Sequence, residues 1–76
     1  MKYSEALTYK KEALQKADES VLKSYHIIIV PADTAESAKY IEAFSKNPDD
    51  FKDNSCKEYC SNDEYEVVSF NKENES

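Results

Sequence analysis

Sixteen acidic residues and ten lysines give this 76-residue chain a formal net charge of −6 at neutral pH, and it contains neither glycine nor arginine. The absence of glycine excludes the Gly-rich phosphate loops, the nucleophile elbow and the dinucleotide fingerprint. The negative charge and the absence of arginine argue against direct binding of nucleic acid, whose phosphates are neutralised by basic side chains. A chain this short buries one small core, which argues against an enzyme with a cavity of roughly 300–1,000 Å³.

The N-terminal segment predicts an amphipathic helix of about five turns. Ser4 is a suitable N-cap residue, and Leu7, Leu14 and Val21 recur at helical spacing. The opposite face carries both lysine and glutamate, which favours packing on a core over lying on a membrane. The segment does not resemble a secretory signal, and no run approaches the roughly 18 apolar residues of a membrane span. We therefore expect a cytoplasmic chain without membrane contact.

The most hydrophobic stretch is residues 25–30, Tyr-His-Ile-Ile-Ile-Val, which Pro31 follows directly. A continuous run of β-branched apolar residues is typical of a strand that is buried on both faces. Pro31 ends the strand because it has no N–H to donate to a neighbouring strand. This stretch predicts the central strand of the fold.

A second helix is predicted at about 34–46. Asp33 and Glu36 form a capping-box pattern at its start, and Asn47-Pro48 is a stop signal at its end. The predicted inward stripe of this helix consists of Ala35, Ala38, Ile41 and Phe44.

Residues 47–66 contain seven acids, two lysines and both cysteines, and they predict a long excursion over the surface. Within this excursion, Ser55 and Glu58 match a second capping box, which predicts a short helix of two turns or fewer. With no glycine available, left-handed turns must use Asn or Asp. The chain then returns as a strand predicted at about 65–70.

These elements form one α+β domain over residues 1–72, in the order helix, strand, helix, short helix, strand, with a frayed polar tail at 73–76. One layer of helices is expected to pack on a two-stranded sheet. The two strands can pair parallel through a right-handed crossover, or antiparallel. An apolar edge strand also invites pairing with a second copy, so a homodimer is an alternative. The predicted core consists of Leu7, Leu14, Val21, Leu22, Ile27, Ile29, Val30, Ile41, Phe44, Val67, Val68 and Phe70.

Cys56 and Cys60 stand four residues apart, which would place both thiols on one face of a short helix. Zinc sites usually need four ligands, and the single histidine, His26, lies in the central strand. A structural zinc site, a redox or regulatory disulfide and two ordinary thiols are the alternatives, and a cytoplasmic chain favours the last. We expect no metal, no cofactor and no catalytic residue, because His26 has no partner nucleophile.

Charge is spread unevenly, because residues 1–30 carry five lysines and four acids whereas residues 31–76 carry five lysines and twelve acids. The excursion also contains tyrosines, and tyrosine among carboxylates suits a protein-binding surface. The candidate partner-binding residues are Asp49, Asp50, Asp53, Glu58, Tyr59, Asp63, Glu64, Tyr65 and Glu66.

The sequence therefore predicts a small acidic protein-interaction module, an inhibitor that docks on the basic surface of a nucleic-acid-binding protein. In size, charge and lack of a catalytic motif, the chain is similar to small inhibitors of phages and mobile elements, such as anti-CRISPR proteins and DNA mimics. This similarity is one of composition and includes no shared motif. The alternatives are a redox or metal-binding protein that uses Cys56 and Cys60, and a structural or self-associating α+β domain.

Overall fold

A computed structural model describes residues 1–72, and the predicted fraying of residues 73–76 lies outside them. The chain has the predicted α+β fold, with helices packed on a two-stranded sheet. In chain order, the elements are helix α1 (Tyr3–Lys16), helix α2 (Glu19–Ser24), strand β1 (Tyr25–Pro31), helix α3 (Thr34–Lys46), the 3₁₀ helices Pro48–Asp50 and Asp53–Glu58, and strand β2 (Tyr65–Asn71).

β1 and β2 pair antiparallel, which decides the alternative that the sequence left open. The register places Pro31 opposite Tyr65, and one residue further on the Ala32 N–H donates to the Glu64 carbonyl at 2.9 Å. Hydrogen-bonded and non-bonded pairs alternate along an antiparallel ladder. Pro31 therefore falls at a pair that requires no N–H, so β1 includes it, and the prediction that Pro31 ends the strand is wrong.

The sheet is covered by one helix on each face. On the first face the Tyr3 ring of α1 meets the Tyr65 ring edge to face, with centroids 5.4 Å apart. On the second face Phe44 of α3 meets His26, with centroids 5.0 Å apart. Tyr65 and His26 project in opposite directions because they differ by an odd number of positions in the ladder. The expected single layer of helices is therefore wrong, since a strand that is apolar on both faces needs a cover on each.

α1 packs through a different stripe from the predicted one. Ala6 is fully buried, whereas Leu7 and Leu14, both expected in the core, keep 36% and 38% of their surface exposed. Leu22 of α2, also expected in the core, is 37% exposed. The burial of a side chain as short as alanine shows that the α1 backbone comes close to the sheet. Hydrophobicity alone predicts that the leucines of α1 face the sheet. Because the gap between α1 and the sheet is narrow, the helix instead packs through the face that carries Ala6.

The predicted five-turn helix is two helices in the structure. α1 ends at Lys16, and Ala17 and Asp18 have extended backbone conformations before α2 begins at Glu19. The break lets α2 lead directly into β1 without a loop. The start also differs from the prediction, because Lys2 and not Ser4 is the N-cap residue.

The N-terminus of α3 is capped as predicted, since Asp33 Oδ1 accepts the Glu36 N–H at 3.1 Å. Its buried residues, however, are Ser37, Tyr40 and Phe44, so the predicted stripe through Ala35, Ala38 and Ile41 is rotated about the helix axis. The rotation turns Tyr40 toward the excursion, which supplies aromatic partners for its ring. The phenolic hydroxyl of Tyr40 donates to the Lys52 carbonyl at 3.5 Å.

The excursion contains the predicted short helix in a shifted position and in 3₁₀ form, at Asp53–Glu58. Ser55 does act in a cap, but its Oγ accepts the Lys52 N–H at 3.0 Å instead of capping a helix that begins after it. The turn that follows uses Asp63 in the left-handed region, at φ 58°. An Asp at this position is the expected substitute in a chain without glycine.

A pair of matched substitutions tests this arrangement. Ile28 is 7% exposed in β1, whereas Leu14 is 38% exposed on α1. We expect Ile28→Asp to lower the free energy of unfolding by about 3 kcal/mol or more, because it buries an unpaired charge. Leu14→Asp should lower it by no more than about 1 kcal/mol. Urea titrations followed by circular dichroism measure both, and equal losses would contradict the packing described for α1.

Candidate functional site

The nine candidate partner-binding residues do not share one environment. Tyr65 is 3% exposed and belongs to the core, so it leaves the candidate surface. Tyr59 is half-buried, with its ring centroid 5.2 Å from that of Tyr40. Five of the acids are exposed, and we call them the acidic surface: Asp49, Asp50, Glu58, Asp63 and Glu66.

The two remaining acids form ion pairs with the N-terminal part of the chain. Lys10 Nζ contacts Asp53 Oδ1. Glu64 lies 3.2 Å from the Met1 ammonium group and 3.6 Å from Lys2 Nζ. The hydrogen bond from the Met1 ammonium group, followed by its positive charge, lowers the pKa of Glu64 below its ordinary value. Asp53 and Glu64 therefore tie the excursion to the N-terminal segment and offer less free charge to a partner.

Members of the acidic surface lie near both ends of α3. Asp49 and Asp50 follow the C-terminus of α3. Asp63 lies near its N-terminus, because Glu36 in the first turn accepts the Ser61 N–H at 3.1 Å. A helix of 13 residues is about 20 Å long, so the two groups of carboxylates are separated by roughly that distance.

Sequence reasoning missed Glu36 as part of this end of the surface. Its contact with Ser61 joins residues 25 positions apart, and no local pattern predicts such a contact. The capping position of Glu36 places it in the first turn of α3, but only the tertiary fold brings the 61–63 turn beside that turn.

The excursion that carries the acidic surface is fixed to the core at several points. Cys56 is fully buried, and the Phe51 ring meets the Tyr40 ring at a centroid distance of 5.5 Å. Lys57 Nζ lies 4.2 Å from the centroid of the Tyr3 ring, in cation–π geometry. Contacts with both α1 and α3 therefore hold residues 51–59 in place.

The two cysteines are free thiols in different environments. Cys56 is buried, and burial followed by the neighbouring Cys60 raises the pKa of the Cys56 thiol to about 11. Cys60 is half-buried, and its Sγ donates to the Glu64 carbonyl at 3.2 Å. A thiol with a raised pKa is a poor nucleophile at neutral pH, because the thiolate is the reactive form.

The single histidine, His26, packs against the rings of Phe44 and Phe70, with centroid distances of 5.0 and 5.3 Å. These contacts are typical of a structural histidine. Across residues 1–72, no group of three or more His, Cys, Asp and Glu side chains is placed to hold a metal ion.

A surface concavity lies on α1, and none of the residues of the acidic surface lines it. It has a volume of about 480 Å³ and is lined by Met1, Ser4, Glu5, Thr8, Tyr9 and Glu12. It is an open depression and not an enclosed pocket. None of the helices within residues 1–72 combines the length and the apolar content needed to cross a membrane.

No protein-family model matches the chain, and neither do any curated protein or any solved structure. Function is therefore inferred from the residues of this chain alone.

The thiol environments predict unequal chemical reactivity. At pH 8 a thiol with a pKa of about 11 is ionised in roughly one molecule in a thousand. We expect a thiol-alkylating reagent to label Cys60 of the native protein at least tenfold faster than Cys56, with equal rates in denaturant. Peptide mass spectrometry over a time course measures both rates. Equal labelling of the native protein would show that Cys56 is not buried.

Proposed function

We propose that this chain is a non-enzymatic, cytoplasmic protein-interaction module whose acidic surface binds a basic surface of another protein. The observation that carries the proposal is the exposure of Asp49, Asp50, Glu58, Asp63 and Glu66 on an excursion that is anchored to the core. One-signed surface charge accelerates encounter with an oppositely charged partner and favours complementary partners over others.

The anchoring of the excursion supports binding because an ordered surface loses less conformational entropy when it meets a partner. Phe51, Cys56 and Tyr59 supply that anchoring through their contacts with the core. A flexible acidic loop with the same composition would have to be ordered at the moment of binding, at a cost of about 0.5–1.5 kcal/mol for each immobilised side chain.

The partner that fits best is a nucleic-acid-binding protein. Carboxylates spread over roughly 20 Å along α3 can occupy a basic groove in place of the phosphates of a nucleic acid. Such binding would make the chain an inhibitor of the DNA-mimic kind, in the manner of small anti-CRISPR proteins. The thiol-based alternative has less support, because Cys56 is buried with a raised pKa.

The first test measures how salt and competing nucleic acid affect binding of the partner. A partner captured on the immobilised chain at low salt should be released as salt rises, since ions screen exposed charges over about 8–10 Å at ordinary ionic strength. Nucleic acid should compete with the chain for that partner. A complex that resists both high salt and nucleic acid would contradict the proposal.

Charge-reversal variants locate the contact. We expect Asp49→Lys with Asp50→Lys to reduce the association rate by about tenfold or more while the melting temperature stays nearly unchanged. Glu12→Lys with Glu19→Lys is the matched control, because it changes the net charge equally on exposed positions of α1 and α2. Stopped-flow association at low salt measures both rates. Equal slowing by the two variants would assign the effect to net charge and reject the acidic surface as the contact.

At the end of the acidic surface that carries Asp63, the substitution must preserve the backbone conformation. Asp63 has a positive φ, so Asp63→Asn removes its charge while keeping a residue that tolerates this conformation. Combined with Glu58→Lys, it should slow association to a similar degree if both ends of the acidic surface contact the partner. If this variant associates with the partner as fast as the parent chain does, the contact is restricted to the end of the acidic surface that carries Asp49 and Asp50.

A further inference from the structure

β2 pairs with β1 along one edge, and its other edge, which we call the outer edge, faces away from β1. Within residues 1–72 the sheet has two strands, and β1 is the strand partner of β2. The Ala32 to Glu64 hydrogen bond fixes the alternation, so Glu66 and Val68 bond to β1. The backbone N–H and C=O groups of Val67 and Ser69 therefore point outward, away from β1.

Met1 shows that this edge can pair with an extended segment. The Met1 ammonium group donates to the Tyr65 carbonyl at 2.9 Å, and the Tyr65 N–H donates to the Met1 carbonyl at 2.8 Å. This reciprocal exchange is the pattern of a hydrogen-bonded antiparallel pair. Met1 thus covers the first residue of the edge, and the pairing stops before Val67.

Between Val67 and Phe70, the described edge of β2 carries none of the usual protective residues. Natural edge strands are blunted by lysine, by proline or by a bulge. Residues 67–70 read Val-Val-Ser-Phe and contain no charge and no proline, and their register with β1 is continuous. An edge of this kind is a template for strand addition.

We propose that β2 pairs antiparallel with β2 of a second copy of this chain, about a two-fold axis at Ser69, to form a continuous four-stranded sheet. In this register Ser69 lies opposite Ser69 of the partner copy, and their outward backbone groups exchange hydrogen bonds. The interface is isologous, as two-fold dimers require. The proposed dimer contact shares Glu66 with the acidic surface, but it does not depend on binding of a basic partner.

Side-chain complementarity selects a second copy over an unrelated extended peptide. The register places Glu66 of one copy opposite Lys72 of the other, and Val68 opposite Phe70. Each pair occurs twice by symmetry, and opposite charges or apolar side chains facing each other across strands are stabilising. Lys72 Nζ already donates to the Leu22 carbonyl at 2.9 Å, but an ammonium group has three hydrogens and can bond Glu66 as well.

Tyr9 gives a second reason for this arrangement. It is the most exposed large hydrophobic side chain, at 56%. It borders a groove of about 200 Å³ whose other lining residues include Val67 and Ser69 of the same edge. A two-fold axis through Ser69 would bring the two Tyr9 side chains together over the strand pair, where a second copy would cover both.

Sedimentation velocity of the full chain from about 1 μM to 1 mM tests the proposal. We expect a reversible monomer–dimer equilibrium. Ser69→Lys places like charges opposite each other, and Ser69→Pro removes the outward N–H without touching the ladder to β1. Each should raise the dissociation constant by about tenfold or more, and circular dichroism melts check that the fold persists. A monomer throughout the range, or a dimer that survives both variants, would overturn the proposal.

Charge exchange tests the register itself. Glu66→Lys and Lys72→Glu each place like charges opposite each other at two symmetric positions, which should weaken the dimer by about 2- to 30-fold. The double variant restores opposite charges and should recover the parent dissociation constant. Glu42→Lys on the exposed side of α3 is the matched control for net charge. A double variant as weak as the single ones would reject this register, and binding of unrelated extended peptides by a monomeric chain would reject the second copy as the occupant.

Discussion

The fold depends on the need to cover β1 on both faces. Ile29 and Val30 are adjacent in the strand, and therefore point to opposite faces, yet they are 1% and 0% exposed. Burying both faces of a strand within 76 residues requires two helical layers, one from before the strand and one from after it. α1 contributes the small side chain of Ala6 to this cover, and α3 contributes the rings of Tyr40 and Phe44.

The same requirement explains why an excursion with few aliphatic residues is ordered. Cys56 belongs to the hydrophobic core that covers β1, and Phe51 and Tyr59 pack against it. The same segment of the chain carries the exposed carboxylates of the acidic surface. Core packing and the proposed binding surface therefore involve the same segment, and a substitution at Cys56 would disturb both, whereas one at Asp49 would disturb only the surface.

The sequence predicted those elements whose signals are local. The β-branched run of β1 and the Asp33 cap of α3 are read from neighbouring residues, and both are in the structure. The faces of the helices were not predictable in this way. Hydrophobicity ranks Leu7 above Ala6, but the short distance between α1 and the sheet buries Ala6 and leaves Leu7 partly exposed. The acidic neighbours of Tyr65 favour a surface position, but its ring packs against Tyr3 in the core.

The most direct test of the central position of β1 is residue-resolved amide hydrogen exchange. Ile28 and Val30 lie at hydrogen-bonded pairs of the β1–β2 ladder, and the strand lies between the two helical layers. Their amides should exchange only through global unfolding, with a free energy of exchange equal to that measured by urea titration. Amides of α2, which has no buried residue, should exchange through smaller openings. Exchange of Ile28 and Val30 as fast as that of α2 would show that β1 is not the strand on which the fold is built.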